Sequence, residues 1–549
     1  MGGDSHLKKV IALAGNWVGA ALISVAIAWL VLAVSMRLLY GPQCFILGIK
    51  LSLRDTLGTS MQAIGLGLLG LALTRWREYF GRFAARVGGS PFWPLAIWIG
   101  MSLAWWLGTL WNIRTMALSG LDTAVFENII HRISNGNLSP EFMGIHHPYF
   151  IFYPMGLIYR FAGLAGVILF QKIILFSAVP GAWLLARQFG LDERGAGAVA
   201  LLVALLPVTW WMGGDAPYPD VAFLPLGIFL VWAGLRENCI LVLVSALAII
   251  LTSESGGLTL ACAGVVLCAL SRKKRWLWLV PVGITAVPLA LWFQDWVAPG
   301  RAEGRLLYRY GIEAITPLSL LKVGLRVFWP SRIFSFLKLL LQAGHLTFAE
   351  FPLAALAIIP AAPQLAVIAG HTNQAQLGLY HGFYSLPLIV VAAITALGRL
   401  RNTAFHAPLA IGLALVLGAR FYRVAPPASF VSRTEEMAAL VPHDASVAAA
   451  PYVSMRLAKR PYLRIVQDTA ELRDELSRTR PWVALERMSF QDVDAAGSVL
   501  LPLGYERVFG DTCFVVWKPP EKSTPNKFGV LAPLMRLPAS PNKFGVLAP

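Results

Sequence analysis

The chain has 549 residues, of which 57% are hydrophobic and 14% charged, with a formal net charge of +17 and a mean hydropathy of +0.64. Soluble domains carry about 25% charged residues, so an ordinary water-soluble enzyme is excluded and lipid must be the main solvent. Nucleic-acid binding is not what the positive charge indicates, because the basic residues cluster in short loops between apolar runs, first Arg75, Arg77, Arg82 and Arg86, later Arg272, Lys273, Lys274 and Arg275, which is the positive-inside pattern.

The apolar runs 17–36, 58–74, 91–111, 195–212, 276–296 and 353–369 reach or approach the roughly 17–25 residues that cross hydrocarbon. Lys8 and Lys9 place the N-terminus inside. The first run is followed directly by others and has no small-residue cleavage site, so it reads as a retained helix. Residues 1–90 form a two-helix extension. The helix 91–113 then exits, and 114–148, the longest polar interruption of the first half, is extracytoplasmic. Residues 149–161 are short and contain Pro154, and they predict a helix lying in the interface.

The helix 164–187 returns, and further spans follow at 195–212, 221–236, 240–252, 256–270 and 276–297. Charge bias puts the loop 213–219 and the turn 253–255 outside and 272–275 inside. The segment 331–342 reads as a short span, a re-entrant helix or an interfacial one, before spans at 353–369, 387–397 and 404–420. One pass more or fewer there flips the side of the C-terminus. The whole predicts an all-α polytopic bundle of about 12–13 spans with a core over 91–424, in the cytoplasmic (inner) membrane.

From residue 425 the composition changes to that of a small soluble α/β domain ending near 520. Strands are predicted at 445–449, 482–485 and 512–517. Asp468 and Glu471 have capping-box spacing before an amphipathic helix 469–480. The tail 521–549 carries PNKFGVLAP twice and has a disordered composition. The five cysteines have neither metal-ligand nor disulfide-framework spacing.

Ionisable residues beside spans are costly and therefore functional candidates. Most collect on the outer side: Asp122, Glu127, His131, His146 and His147 in the first loop, Asp215 and Asp220 next, Glu254 in a turn, and Arg301, Glu303, Arg305 and Arg309 after the span ending near 297. A carboxylate there can bind a divalent cation or act as a base, and an arginine can hold a phosphate. Plainer roles stand beside these. Asp122 has the sequence context of an N-cap for a helix 123–133, and Asp220 of another. Glu127 reads as a solvated helix face, His146 and His147 as loop markers, and His381 as an interfacial histidine. Glu254 lies between apolar runs, where a hairpin turn needs no acid.

The stretch Leu121-Asp122-Thr123-Ala124-Val125-Phe126-Glu127-Asn128, with Gly136, His146-His147-Pro148, Pro154 and Tyr159, resembles a family of bacterial and archaeal polytopic membrane proteins of unassigned function, itself similar to the GT-C glycosyltransferases. Tyr218-Pro219-Asp220 sits where that family tends to have His-Pro-Glu, Ser253-Glu254-Ser255 where it has Lys-Glu-Asp, and Tyr380-His381 with Pro387 resembles its late Tyr-His and proline motif. The resemblance covers about residues 105–520. Only the glutamate of the Lys-Glu-Asp triplet survives, which weakens a two-acid metal site.

The resemblance implies a GT-C-like bundle and a polyprenyl-phosphate sugar donor, with transfer on the extracytoplasmic face to a glycolipid, envelope polysaccharide or protein hydroxyl. It implies Asp122 as the base or metal-linked acid and a catalytic role for Glu254. Glu127, His146, His147, Asp220, Arg305 and His381 would bind substrate. A lipid or solute transporter would instead place polar residues at mid-depth and carry internal repeats, and a non-catalytic envelope protein would tolerate loss of Asp122 and Glu254. The late Tyr-His motif lies outside in such proteins, which predicts an extra short span near 331–348 and an extracytoplasmic C-terminal domain.

Overall fold

The computed structural model describes residues 3–520 apart from 40–42, 47–48, 53–55, 117–119, 138–148, 214–216, 298–300, 368–378, 401, 419–427, 488, 491 and 512. Among helical residues whose side chains fall outside the description are Asp122 and Arg305. The duplicated tail, His146, His147 and Asp215 also lie outside the described residues.

The N-terminal part is α1 (Gly3–Leu39), an antiparallel hairpin of β1 (Gln43–Ile46) and β2 (Ile49–Ser52), and α2 (Thr56–Leu73). The basic segment after it forms a helix of its own, α3 (Arg77–Gly89). Next come α4 (Phe92–Arg114), α5 (Gly120–Ser134), α6 (Phe152–Phe176) and α7 (Ala178–Gln188). The bundle continues with α8 (Glu193–Ala204), α9 (Pro207–Gly213), α10 (Phe223–Leu235), α11 (Cys239–Thr252), α12 (Gly256–Ser271) and α13 (Leu279–Val297).

Among the described residues, four helical stretches are long and apolar enough to cross a membrane: Leu13–Val31, Phe92–Arg114, Phe152–Gln188 and Lys274–Val297. The bent pair α8 and α9, turned by 47°, makes a fifth if taken as one span. The bend falls at Pro207, which removes a backbone donor and starts the second piece. Shorter apolar helices stand beside them. They differ in burial: the helix Leu386–Arg399 is enclosed by the bundle, whereas α11 exposes Ile240, Leu243, Val244 and Leu247.

Residues 149–161 do form a helical piece of their own, separated from the piece after it by the non-helical backbone of Gly163 (φ 60°, ψ −162°). They lead into the long stretch Phe152–Gln188, and Phe152, Met155 and Tyr159 are buried. Helix α6 packs on α5 and α4. Gly163, with φ near +60°, bends it without a side-chain penalty. The N-terminal part is strapped to the core: α2 packs along the last bundle helix, and α3 lies on α8. A Cβ on Gly197 of α8 would sit 1.8 Å from the Ala84 carbonyl of α3, so only glycine permits this backbone approach.

Beyond α13 come α14 (Arg301–Tyr310), α15 (Pro317–Leu325), α16 (Pro330–Leu340) and three short helices, α17 (Leu346–Ala349), α18 (Phe351–Ala355) and α19 (Ile358–Leu365). Helices α20 (Leu386–Arg399) and α21 (Thr403–Gly418) complete the bundle. Every residue from Leu386 to Leu397 is buried. The ambiguous segment runs down and back. Arg332 at the start of α16 donates to the Val367 carbonyl just beyond α19 (3.0 Å). At the far end Glu350 pairs with Arg399 (2.5 Å). Lys338 keeps its ammonium 4.6 Å from the centre of the Phe334 ring. Helix α16 spans only Pro330–Leu340, and the structure does not decide whether it makes the extra short pass expected near 331–348.

The C-terminal domain comprises α22 (Ala428–Leu440), β3 (Ser446–Ala449), α23 (Pro451–Leu457), β4 (Tyr462–Ile465), α24 (Thr469–Arg478), β5 (Trp482–Glu486), α25 (Val493–Leu500), β6 (Glu506–Gly510) and β7 (Phe514–Lys518). The strand order is β4-β3-β5-β7-β6. The β3 pairs are parallel, and β7 is antiparallel to β5 and β6. Asp468 caps α24 by accepting from Ala470 and Glu471 (2.8 Å each). Strands β4 and β6 are additions to the three expected from sequence.

This domain sits on the end of the bundle that carries α5. Met116, in the link between α4 and α5, is fully buried in the domain's apolar core with Phe430, Met437 and Phe514. Its backbone is left-handed (φ 54°), which costs a side-chain-bearing residue roughly 1–2 kcal/mol. Burying the side chain contributes about 1.5–3 kcal/mol, enough to offset that strain.

Candidate functional site

The site is built where the α5-end turns of the bundle meet. Tyr218 is extended, and Pro219 opens a single 3-10 turn, Pro219–Ala222, that leads into α10. Asp220 therefore lies inside a helical turn and is not its N-cap, which corrects the capping expectation. Its side chain is fully buried. Tyr149 donates to one carboxylate oxygen (3.0 Å) and Tyr384 to the other (2.7 Å). Phe126 packs edge-on against Tyr149 and Tyr218, with ring centres 6.0 and 5.5 Å apart.

Glu254 lies in the turn between α11 and α12. It is buried and accepts from the Ser253 hydroxyl (3.2 Å). The turn is closed by Gly256, where a Cβ would come 2.3 Å from the Ile249 carbonyl. Glu254 is near enough to Asp220 for their charges to interact. Tyr384 is fixed from α12, since Thr259 donates to its carbonyl (2.8 Å). His381, in the 3-10 turn Leu379–Gly382, is buried three residues before Tyr384. Phe150 donates to the Leu251 carbonyl (3.1 Å), joining the end of the first loop to the Glu254 turn.

A second buried acid stands on α5. Glu127 is 6% exposed and accepts from the Tyr159 hydroxyl (3.0 Å). Burial pushes its carboxyl above the usual range, against the opposing pull of the Tyr159 hydrogen bond and of Lys459 and Arg456. The expectation of a solvated face is thus corrected: that face of α5 is covered by α6 and by α23 of the C-terminal domain. His131, one turn on, meets the Tyr159 ring edge-on (5.7 Å) and is held by Asn135 (3.1 Å). Beside it lies a cleft of about 410 Å³ lined by His131, Ser134, Asn135, Gly136, Tyr159 and Arg160.

Asp122 lies in the first turn of α5. The helix begins at Gly120, two residues before it, so it does not cap residues 123–133. Its side chain and that of Arg305, on α14, are outside the described residues, as are His146 and His147 altogether. The sequence reading missed Tyr149 and Tyr384, the hydroxyl donors to Asp220, and named Tyr159 only as part of a Pro-x-Tyr pattern. It also missed Lys172 in α6, which is fully buried and donates to Gln171 (2.8 Å) and to the Met212 carbonyl (3.3 Å). Among the described residues no three His, Cys, Asp or Glu side chains come together as a metal-binding set.

A many-helix bundle that buries acids at one end beneath a small α/β domain defines a multi-pass membrane protein. The chain belongs to the family described as predicted membrane protein (DUF2079), whose model matches residues 112–497. That match begins just before α5 and ends within α25. Among solved structures the chain is similar to ArnT from Cupriavidus metallidurans bound to undecaprenyl phosphate, with 13% identity and a TM-score of 0.48 over 77% of this chain and 97% of that one. The apo state of ArnT gives 12% identity and a TM-score of 0.45 over 76% and 97%. No curated protein sequence matches.

Proposed function

We propose that this protein is a membrane glycosyltransferase that moves a sugar from a polyprenyl-phosphate donor to an envelope acceptor at the α5 end of the bundle, on the extracytoplasmic face. The observation that carries the reading is the convergence on Asp220. Tyr149 from the first loop and Tyr384 from beside the Tyr380-His381 motif hold it, with Glu254 close by. Residues next to the His146-His147-Pro148 and Tyr380-His381 motifs thus support the Asp220 carboxylate, which favours this reading. Inverting transfer needs one base and a stabilised phosphate leaving group. In this reading Asp122 takes the acceptor proton and Glu254 shapes the acid centre. Asp220, Glu127 and His381 organise the substrate walls, while His146, His147 and Arg305 contact phosphate.

The test is a transfer assay on purified protein in lipid, with polyprenyl-phosphate sugars as donors and envelope extracts as acceptors. Asp122→Asn is expected to lower turnover by roughly 10²–10⁴-fold. Thermal stability should be nearly unchanged, because the residue lies within the helix and not at its cap. Full turnover in that variant would remove Asp122 from the mechanism. Failure of every donor with the wild-type chain would remove the transferase reading.

A further inference from the structure

The first loop is held from above as well as from within the bundle. Asn128 is buried on α5, and its amide donates to two carbonyls of the C-terminal domain, those of Ala458 and Arg460, at 2.8 Å each. Both lie in the turn between α23 and β4, which is fixed independently of α5. The Arg460 guanidinium reaches back to the carbonyls of Ala438 (3.2 Å) and Val441 (2.8 Å) at the end of α22, and to His443 (2.8 Å). Arg456 ties α23 to Glu435 of α22 (3.1 Å) and to the Arg114 carbonyl at the end of α4 (3.1 Å). Met116 enters the domain core between these anchors. The domain therefore grips the chain at 114, 116 and 128, on both sides of Asp122 and next to Glu127.

We infer that the C-terminal domain is a positioning element for the site, with Asn128 as its clamp: it fixes the register of α5 and hence the placement of Asp122 and Glu127. The geometry suits an amide. The Asn128 nitrogen carries two N–H donors, one for each carbonyl oxygen, and an acid there would face them with like partial charge. The catalytic half of this inference rests on the transferase reading, whereas the clamp itself does not.

Asn128→Asp removes both donors at constant shape. Hydrogen exchange of the full chain in nanodiscs is expected to quicken about tenfold or more over 120–134, with the α20 segment 386–399 and strand β5 unchanged. Turnover should fall while KM for the lipid donor stays put, the split expected when binding survives and alignment is lost. Unchanged exchange over 120–134 overturns the clamp. Faster exchange with undiminished kcat overturns the positioning role. If the wild-type chain transfers no sugar, exchange still decides the clamp and only the functional reading fails. Arg456→Gln loosens the same loop from its other anchor and gives the same readout should Asn128→Asp fail to fold.

Discussion

At the α5 end of the bundle, Asp220 and Glu127 are buried and take phenolic O–H donors from Tyr149, Tyr384 and Tyr159. At the opposite end, Glu78 and Glu237 stand exposed and pair with Arg194, Lys273 and Arg275. The difference is one of compensation. A carboxylate out of water needs strong hydrogen bonds, and fixed cations are the commonest remedy. Asp220 is held by neutral hydroxyls rather than by a fixed cation. The acids of the other end are already neutralised and serve topology, in keeping with the basic loops that hold that end in place.

The comparison breaks outright if the α5 end faces the cytoplasm. Alkaline phosphatase fused after residue 520 is expected to be active, because the domain packs on the α5 end. An inactive fusion would invert both ends. Asp220→Asn keeps the shape and removes the charge. It is expected to lower transfer at least about a hundredfold while shifting the melting temperature by only a few degrees.

Glu127→Gln sharpens the comparison through pH. Burial raises the carboxyl above its ordinary value of 4.5, so the folded state favours the protonated form. That contribution to stability is complete below pH 4.5 and is lost as pH rises through the folded value. Melting of the wild type should therefore fall as pH rises above 4.5, and the variant should flatten that slope. The smallest effect belongs to the other end: Glu237→Gln is expected to leave transfer and melting unchanged, as exposed ion pairs contribute little.

Much of this was legible in the sequence. Apolar length located the bundle helices, and the resemblance singled out Asp220, Glu254 and the α5 stretch, because those signals are local. The donors were not legible. Tyr149 and Tyr384 lie 71 and 164 residues from Asp220, and nothing local marks them among fourteen tyrosines. Glu127 read as solvated because its cover comes from α23, far along the chain. The segment at α16 was ambiguous because Lys338 lowers its hydropathy, and in the structure that ammonium lies over the neighbouring Phe334 ring.

The Asn128 clamp also sets an order of events in biosynthesis. Its two acceptors follow it by 330 and 332 residues. At about 5–20 residues per second, a ribosome needs roughly 15–65 s to make that length. For that interval α5 exists without the surface that finally covers Glu127 and Asn128. A chain stopped anywhere before β4 would insert its helices and still leave this segment undocked. The C-terminal domain thus acts as a completion check on the bundle, since α5 is covered only after all the described bundle helices have been made.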